Sequence, residues 1–181
     1  MAHRGTLMAI YAHPDDESFG AGGTLARYAR AGVEVHVCTV TDGAGGTVDP
    51  SLLPPPRTRG GVATVAELRR RELECACAVL GAHLHTLDYR DSGMAGAPDN
   101  QHPDSLCQAP LDEVVRDLVR VIRRTRPDVI ITHEMSGGYH HPDHVKVSQA
   151  VGQAWAAAAQ TDLSAVGADP WLPARLYYQV V

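Results

Sequence analysis

Five short apolar segments that alternate with longer amphipathic ones constrain the fold of this chain more than any other feature. Helices are predicted between the apolar segments, and Gly32 and Gly81 follow the first two helices, where glycine is the expected C-cap. The predicted strands are Leu7–Ala12, Val33–Val40, His83–Leu87, Asp128–Thr132 and Leu176–Val180. The predicted helices are Thr24–Ala31, Glu67–Leu80, Leu111–Arg124 and a segment from about Asp143 to about Ala159.

Strands separated by helices are joined by right-handed crossovers, which produce a parallel sheet with helices on both faces. We therefore predict an α/β fold, a single Rossmann-like three-layer sandwich with a five-stranded, mainly parallel sheet of order 3-2-1-4-5. In such sheets ligands bind beyond the carboxyl ends of the strands, at the switch point between strands one and four. Two long loops, Asp42–Gly61 and Asp88–Pro110, leave this side of the sheet.

Length, charge and hydropathy limit the classes of protein to which the chain can belong. Its 181 residues are predicted to form one domain, 1–181. The net charge of −5 argues against nucleic-acid binding, which requires a basic face, and no apolar run approaches the ~20 residues of a membrane span. Because no charged-then-apolar signal segment opens the chain, we expect a cytoplasmic protein whose four cysteines are free thiols.

Two clusters of histidine and aspartate follow the predicted first and fourth strands. Ala-His-Pro-Asp-Asp-Glu occupies 12–17 and His-His-Pro-Asp-His occupies 140–144. Because strands one and four are neighbours in the predicted sheet, both clusters are expected to meet in one crevice. Imidazole nitrogens and a carboxylate are ligands that suit zinc, so the sequence predicts a metal site there.

The residue types in these clusters suit metal-assisted hydrolysis of an amide. His13 and Asp16, three residues apart on a tight turn, can bind a metal as a pair, with one histidine of the second cluster as third ligand. Adjacent side chains diverge, so one of Asp15 and Asp16 would coordinate while the other serves as general base. Zinc lowers the pKa of its bound water toward ~7 and a nearby carboxylate can take the proton. A further histidine would stabilise the oxyanion or donate a proton.

These segments resemble the PIG-L-like (LmbE-like) family of zinc-dependent N-acetylglucosamine deacetylases. Members of that family remove acetyl from the 2-amino group of a glucosamine unit in glycolipid, thiol-cofactor or antibiotic precursors. The specific part of the resemblance is Ala-His-Pro-Asp-Asp-Glu paired with a downstream His-Pro-Asp-His at 141–144. Weaker pieces are the glycine-rich helix entry at 20–24, Thr-Asp-Gly-Ala-Gly-Gly at 41–46, Arg-x-x-Glu at 69–72 and Arg-Asp-Ser-Gly-Met at 90–94.

The resemblance implies a role for each matching position. It implies Zn²⁺ as cofactor, with His13, Asp16 and His144 as ligands, and a small-molecule N-acetyl sugar as substrate. Nickel, cobalt, manganese or iron(II) also suit such nitrogen and oxygen ligands. The resemblance also implies that Asp15 is the general base and that His141 stabilises the oxyanion or acts as an acid, with Asp143 holding the ring of His141 and its charge state. Tyr139 matches a mobile tyrosine that polarises the carbonyl group. Arg69 and Asp91 match positions that contact the sugar or its aglycone.

Structural roles compete with two of these assignments, and the chain departs from the family pattern in two places. Asp143 can cap the fourth helix, and Arg69 can lie on a solvated helix face. Relatives usually continue beyond Val181, so the domain is expected to be short at its C-terminus. Position 140 is histidine where a small residue is common in relatives, and we expect His140 to point outward. The two long loops, rather than the sheet, are expected to select the aglycone.

The same residues are compatible with several functions other than hydrolysis of an N-acetyl group. A related amidase could cleave another amide of a sugar–thiol conjugate, and a non-catalytic metal-binding module would have the same ligands. A non-haem iron oxygenase is suggested by two histidines and one carboxylate, but such sites usually occupy all-β barrels. A nucleotide-binding role is disfavoured because the glycines at 20, 22 and 23 follow an acidic stretch and lack the dinucleotide spacing. An exposed terminal strand would favour a homo-oligomer.

Overall fold

The structure is a computed structural model that describes residues 5–48, 64–161 and 168–180. Its five-stranded sheet has the order β3-β2-β1-β4-β5, and every strand pairs in parallel with its neighbours. The predicted fold class and strand order are therefore confirmed. The strands are β1 (Thr6–Tyr11), β2 (Glu34–Thr41), β3 (His83–Tyr89), β4 (Val129–His133) and β5 (Arg175–Gln179).

Four α-helices connect the strands in the described part of the chain, and their ends follow local sequence signals. Thr64 and Glu67 form a reciprocal capping box at the start of the second helix, and Gly81 ends that helix with a φ of +74°. A short π-helical turn, Glu17–Ala21, leads into the first helix and was not predicted. The helices are α1 (Gly22–Arg30), α2 (Val65–Leu80), α3 (Leu111–Thr125) and α4 (Pro142–Ala157).

The central strand β1 divides the core into two layers. All six of its residues are buried, which explains why the residues after Thr6 are a continuous apolar run rather than an alternating one. Met8 and Ile10 pack with α3 and α4 on one face, whereas Leu7 and Ala9 pack with α1 and α2 on the other. The helices on both faces confirm the three-layer arrangement and argue against the barrel of the oxygenase alternative.

The sheet places the carboxyl ends of β1 and β4 side by side, and the two motif-bearing loops follow them directly. The loop after β3 includes a 3-10 turn, Pro98–Gln101, and a bridge between Arg90 and Ser105. The proline-rich part of the predicted loop at 42–61 lies outside the described residues. None of the described helices combines the length and hydropathy that crossing a bilayer requires. The four cysteines are free, as predicted.

Candidate metal centre and substrate cleft

The turn after β1 presents His13 and Asp16 on the same side. The backbone N–H of His13 donates to Oδ2 of Asp16 at 2.8 Å, which holds the carboxylate beneath the imidazole. Between them Asp15 has a φ of +113°, a backbone conformation that residues other than glycine rarely adopt. Its own N–H donates to the carboxylate of Glu17 at 3.0 Å. This strained turn separates the two aspartates, so that Asp15 and Asp16 have different surroundings.

The second cluster is fixed by the start of α4. His141 is the N-cap residue, and its Nδ1 accepts the backbone N–H of Asp143 at 3.2 Å. The prediction that Asp143 caps this helix is therefore wrong, because the cap is His141 and Asp143 lies in the first turn. His140 is exposed and contacts the carbonyl oxygen of Ser136, so it points outward as expected.

The two clusters meet in one crevice, as the sequence predicts. Nδ1 of His13 lies 3.2 Å from Nε2 of His144. Oδ2 of Asp16 lies 3.6 Å from that nitrogen of His13 and 3.5 Å from Nε2 of His144. A tetrahedral zinc ion with ligands at about 2.0–2.2 Å separates its ligand atoms by about 3.3–3.6 Å. The three atoms thus form a triangle of the size that such an ion requires.

His133, at the end of β4, is a residue of this centre that the sequence analysis missed. Its Nε2 accepts the backbone N–H of Ala12 at 3.0 Å, and its ring stacks on His144 with 3.8 Å between centroids. It also lies close enough to Asp16 and His144 to form a second group of metal-ligand atoms. Because the backbone N–H occupies its lone pair, His133 supports the ring of His144 rather than offering a ligand atom. Its position at the carboxyl end of a strand next to β1 was the available signal.

The carboxylate of Asp143 contacts His13, and its backbone N–H contacts the ring of His141. Its Oδ2 lies 3.1 Å from Nε2 of His13, whereas its hydrogen bond with His141 runs through the backbone. Its carboxylate also accepts two hydrogen bonds from Ser92. Asp143 therefore contacts both rings: its backbone N–H holds His141, as the expected role requires, and its carboxylate adds a contact with His13 that was not expected.

The buried groups of the centre have strongly shifted pKa values. Burial opposes protonation of His13, but hydrogen bonds to Asp143, Asp16 and Asp91 outweigh it and raise the pKa of His13 well above its usual range. Burial likewise opposes ionisation of Asp16, yet its hydrogen bonds to histidine hold the pKa of that carboxyl far below normal. Burial lowers the pKa of His144 to about 3, so this imidazole is neutral and its nitrogen is free to bind a metal.

An open cleft of about 380 Å³ lies against this centre. His13 and His141 form part of its wall. Four other residues with roles expected from the sequence also line it, namely Asp15, Arg69, Asp91 and Tyr139. A second cavity of about 240 Å³ on the far side is lined by Asp16 and His144 and shares Asp15 and Tyr139 with the first. The metal-ligand triangle therefore lies where two cavities meet.

Arg69 is bound to the proposed base rather than extending into solvent. One guanidinium nitrogen donates to Oδ2 of Asp15 at 2.5 Å and to the carbonyl oxygen of Pro14 at 2.6 Å. Burial raises the pKa of Asp15, whereas the charge of Arg69 acts in the opposite direction and the net shift is upward. The alternative of a solvated helix face is therefore not what the structure shows for Arg69.

Asp91 and Tyr139 complete the wall of the cleft. The Asp91 carboxylate accepts the backbone N–H groups of Gly93, at 2.7 Å, and Gly45, at 3.2 Å. Burial opposes its ionisation, but the hydrogen bond from His13 helps to lower its pKa to about 2. A Cβ at position 45 would lie 3.0 Å from this carboxylate, so glycine allows the close approach. Tyr139 is exposed, and its ring meets His144 edge-on at 5.1 Å.

Comparison with known proteins gives a consistent result. A deacetylase of Thermobifida fusca that acts on 1D-myo-inositol 2-acetamido-2-deoxy-alpha-D-glucopyranoside is 41% identical over 178 residues, which are 94% of this chain and 60% of the relative. The corresponding deacetylase of Thermobispora bispora is 42% identical over 98% of this chain and 59% of its own length. The chain thus spans about 60% of the length of these curated relatives.

Solved structures of deacetylases share the fold. The N,N'-diacetylchitobiose deacetylase from Pyrococcus horikoshii superposes with a TM-score of 0.69 and 29% identity, over 92% of this chain and 56% of that one. The zinc-inhibited form of a teicoplanin deacetylase gives a TM-score of 0.61 and 25% identity, over 84% of this chain and 64% of that one. The profile of the PIG-L family, described as GlcNAc-PI de-N-acetylase, matches residues 8–155, and the chain therefore belongs to that family.

Proposed function

We propose that this chain is a metal-dependent hydrolase that removes the N-acetyl group from a glucosamine-containing small molecule or glycoconjugate. The observation that carries the proposal is the triangle of His13 Nδ1, Asp16 Oδ2 and His144 Nε2 beside a cleft whose wall includes a carboxylate and an imidazole. The names of the relatives support the same reaction and make N-acetylglucosaminyl-inositol the first substrate to test.

His13, Asp16 and His144 are the residues that would hold the metal. Two imidazole nitrogens and one carboxylate oxygen form the donor set of a catalytic zinc site, which keeps a further position open. Because the pKa of His13 is raised in the metal-free protein, binding of a metal there would displace a proton from that imidazole. A zinc ion there supplies a Lewis acid and a water of lowered pKa. The same donors accept other divalent first-row metals, so metal content has to be measured rather than assumed.

Asp15 is the residue that would accept the proton of the attacking water. It lines the cleft without belonging to the triangle of ligand atoms. Because Arg69 occupies its Oδ2, the other carboxylate oxygen is the one that can take a proton. The raised pKa of Asp15 lies closer to neutral pH than that of an ordinary aspartate, and a general base works best when its pKa is near the operating pH.

His141 would donate a hydrogen bond to the substrate. Its Nδ1 accepts the backbone N–H of Asp143, so a neutral ring carries its proton on Nε2. Burial and the nearby charge of His13 lower the pKa of His141, which favours that neutral form. An N–H on the cleft wall can stabilise negative charge that develops on the acyl oxygen, and it can protonate the leaving amine.

Three further side chains would bind or orient the sugar. Asp91 is an ionised acceptor in the cleft wall, and Arg69 is a donor beside Asp15. Tyr139 is exposed between the two cavities, where its hydroxyl can approach the acyl oxygen once substrate is bound. These contacts would select the sugar, while the two long loops would select the aglycone.

The test combines metal analysis of the purified protein with acetate release from a panel of N-acetylglucosamine conjugates. A second amide, taken from a sugar–thiol conjugate, belongs in the panel because it distinguishes the related amidase. We expect about one bound divalent ion per chain and acetate release from at least one conjugate. A full complement of metal without hydrolysis of any amide would refute the proposal and leave a metal-binding module.

Asp15→Asn distinguishes a residue that acts as general base from a residue that binds the metal. We expect turnover to fall by ~10² or more, the loss typical of removing a general base, while metal content stays close to that of the wild type. Asp112→Asn, on the exposed surface of α3, is the matched control and should change neither quantity. Wild-type turnover in Asp15→Asn would show that another group takes the proton.

A further inference from the structure

Ser92 is a buried residue whose hydrogen bonds the proposed reaction does not explain. Its side chain has no exposed surface, and it lies 51 positions from Asp143 in the sequence. The backbone N–H of Ser92 donates to Oδ2 of Asp143 at 2.9 Å, and its hydroxyl donates to Oδ1 at 2.5 Å. Ser92 therefore binds both oxygens of one carboxylate and fixes its orientation.

That carboxylate faces a proposed metal ligand. Oδ2 of Asp143 lies 3.1 Å from Nε2 of His13, and this oxygen accepts a hydrogen bond when that nitrogen carries the ring proton. A neutral His13 with its proton on Nε2 directs the lone pair of Nδ1 toward Nε2 of His144, 3.2 Å away. Such contacts between a carboxylate and a metal-binding histidine fix the tautomer and raise the basicity of the ligand.

The hydroxyl of Ser92 is itself oriented by the loop that carries it. It accepts the backbone N–H of Cys107 at 2.9 Å, so its own proton is directed at Asp143. The side chain of Asn100 donates to the carbonyl oxygen of Ser92 at 2.5 Å and closes the same loop. The neighbouring Asp91 lines the cleft, so one short segment contacts both the substrate cleft and the metal centre.

We propose that Ser92 is a positioning residue for the metal: by holding the Asp143 carboxylate against Nε2 of His13, it keeps His13 in the metal-binding tautomer and sets the metal affinity of the free protein. This inference rests on the metal site of the proposed function. It is independent of which amide is hydrolysed, because the affinity is set before substrate binds.

The test measures zinc affinity by competition with a chelating dye, on metal-free protein and without substrate. Ser92→Ala should bind zinc about 10-fold more weakly, at the lower end of the loss typical for such supporting contacts, because the backbone N–H of Ser92 remains. Ser105→Ala is the matched control. Ser105 lies in the same loop and has no exposed surface, but its hydroxyl donates to the carbonyl oxygen of His102.

The control should keep wild-type zinc affinity to within about twofold, although each variant loses a hydrogen bond of its serine hydroxyl within the same loop. A merely structural role for Ser92 would lower the melting temperature of both variants and leave both affinities unchanged. Equal zinc affinities in Ser92→Ala and Ser105→Ala would therefore overturn the proposal.

Asp143→Asn is a second test of the positioning role, because it alters the carboxylate through which Ser92 would act. It should weaken zinc binding by about 10- to 100-fold, and adding Ser92→Ala to it should cause a smaller further loss than in the wild-type background. If Ser92→Ala does not fold, unchanged zinc affinity in Asp143→Asn overturns the inference.

The two proposals fail in different ways. Zinc binding that depends on Ser92, together with no hydrolysis of any conjugate, refutes the deacetylase and supports the positioning role. An active wild type whose zinc affinity is indifferent to Ser92 refutes only the positioning role. A wild type that binds no divalent metal refutes both.

Discussion

Replacing His85 with glutamine should make the folded state less sensitive to acid. His85 lies on the edge strand β3, and its Nε2 is 3.0 Å from Nδ1 of His36 on β2. Burial, followed by the charge of His36, lowers the pKa of His85 from 6.5 to about 4. Glutamine does not titrate in this range and can still hydrogen bond to His36, so the variant removes the ionisation and keeps a polar partner.

The sign and size of the effect follow from the difference in pKa between the two states. The unfolded chain takes up a proton near pH 6.5 and the folded chain only near pH 4, so stability is complete above pH 6.5 and declines as the pH falls toward 4. This pKa difference corresponds to at most about 3.4 kcal/mol. Because His85 is only partly buried, solvent screening reduces that to about 1–2 kcal/mol, of which about 1 kcal/mol is lost by pH 5.

Urea unfolding of metal-free protein at about pH 7 and about pH 5 measures the effect. The loss of unfolding free energy between the two pH values should be smaller in His85→Gln than in the wild type by about 1 kcal/mol. His83→Gln is the control, because His83 is exposed on the same strand and its charge contributes less to the pKa of His85 than burial and the charge of His36 do. It should change the pH dependence much less than His85→Gln does. The same pH dependence in His85→Gln and wild type would refute the reasoning, whatever the absolute stabilities.

Three other substitutions test separate parts of the structure. His144→Ala should lose bound metal and turnover together while its far-ultraviolet circular dichroism stays that of the wild type; a full complement of metal would contradict its role as ligand. Leu118→Ala removes a fully buried side chain of α3 and should lower the unfolding free energy in urea by about 2–5 kcal/mol, so that a loss below about 1 kcal/mol would argue against the packing described. Thr64→Ala removes the capping box of α2 and should cost about 1 kcal/mol in the same assay, whereas Thr64→Ser should restore most of it; equal stability of the two variants would contradict the capping contact.

The architecture could be predicted from the sequence because its signals are local. Apolar runs of strand length, amphipathic stripes and terminal glycines locate β1 to β5 and α1 to α4, and the handedness of crossovers then restricts the order of strands. The meeting of the two His/Asp clusters follows from that order alone. The π-helical turn at Glu17–Ala21 escaped prediction because no such periodic signal precedes α1.

The contacts within the site were less predictable because they depend on side-chain direction. Ser92 and Asp143 are 51 residues apart, and only the folded loop shows that a serine hydroxyl meets that carboxylate. His133 follows an apolar strand without any motif of its own. The carboxylate of Asp143 meets His13 across a separation of 130 residues, and no local pattern in the sequence indicates that contact.

The backbone at Asp15 has a consequence for attempts to engineer this chain. A non-glycine residue at a φ of +113° raises the free energy of the native state by about 1–3 kcal/mol, and a glycine would adopt that conformation freely. A screen that selects variants by thermal stability alone would therefore favour replacing Asp15 with glycine, which removes the carboxylate proposed to take the proton. Stability and turnover make opposite demands at this position, so a mutant library designed to raise stability should leave residue 15 unchanged.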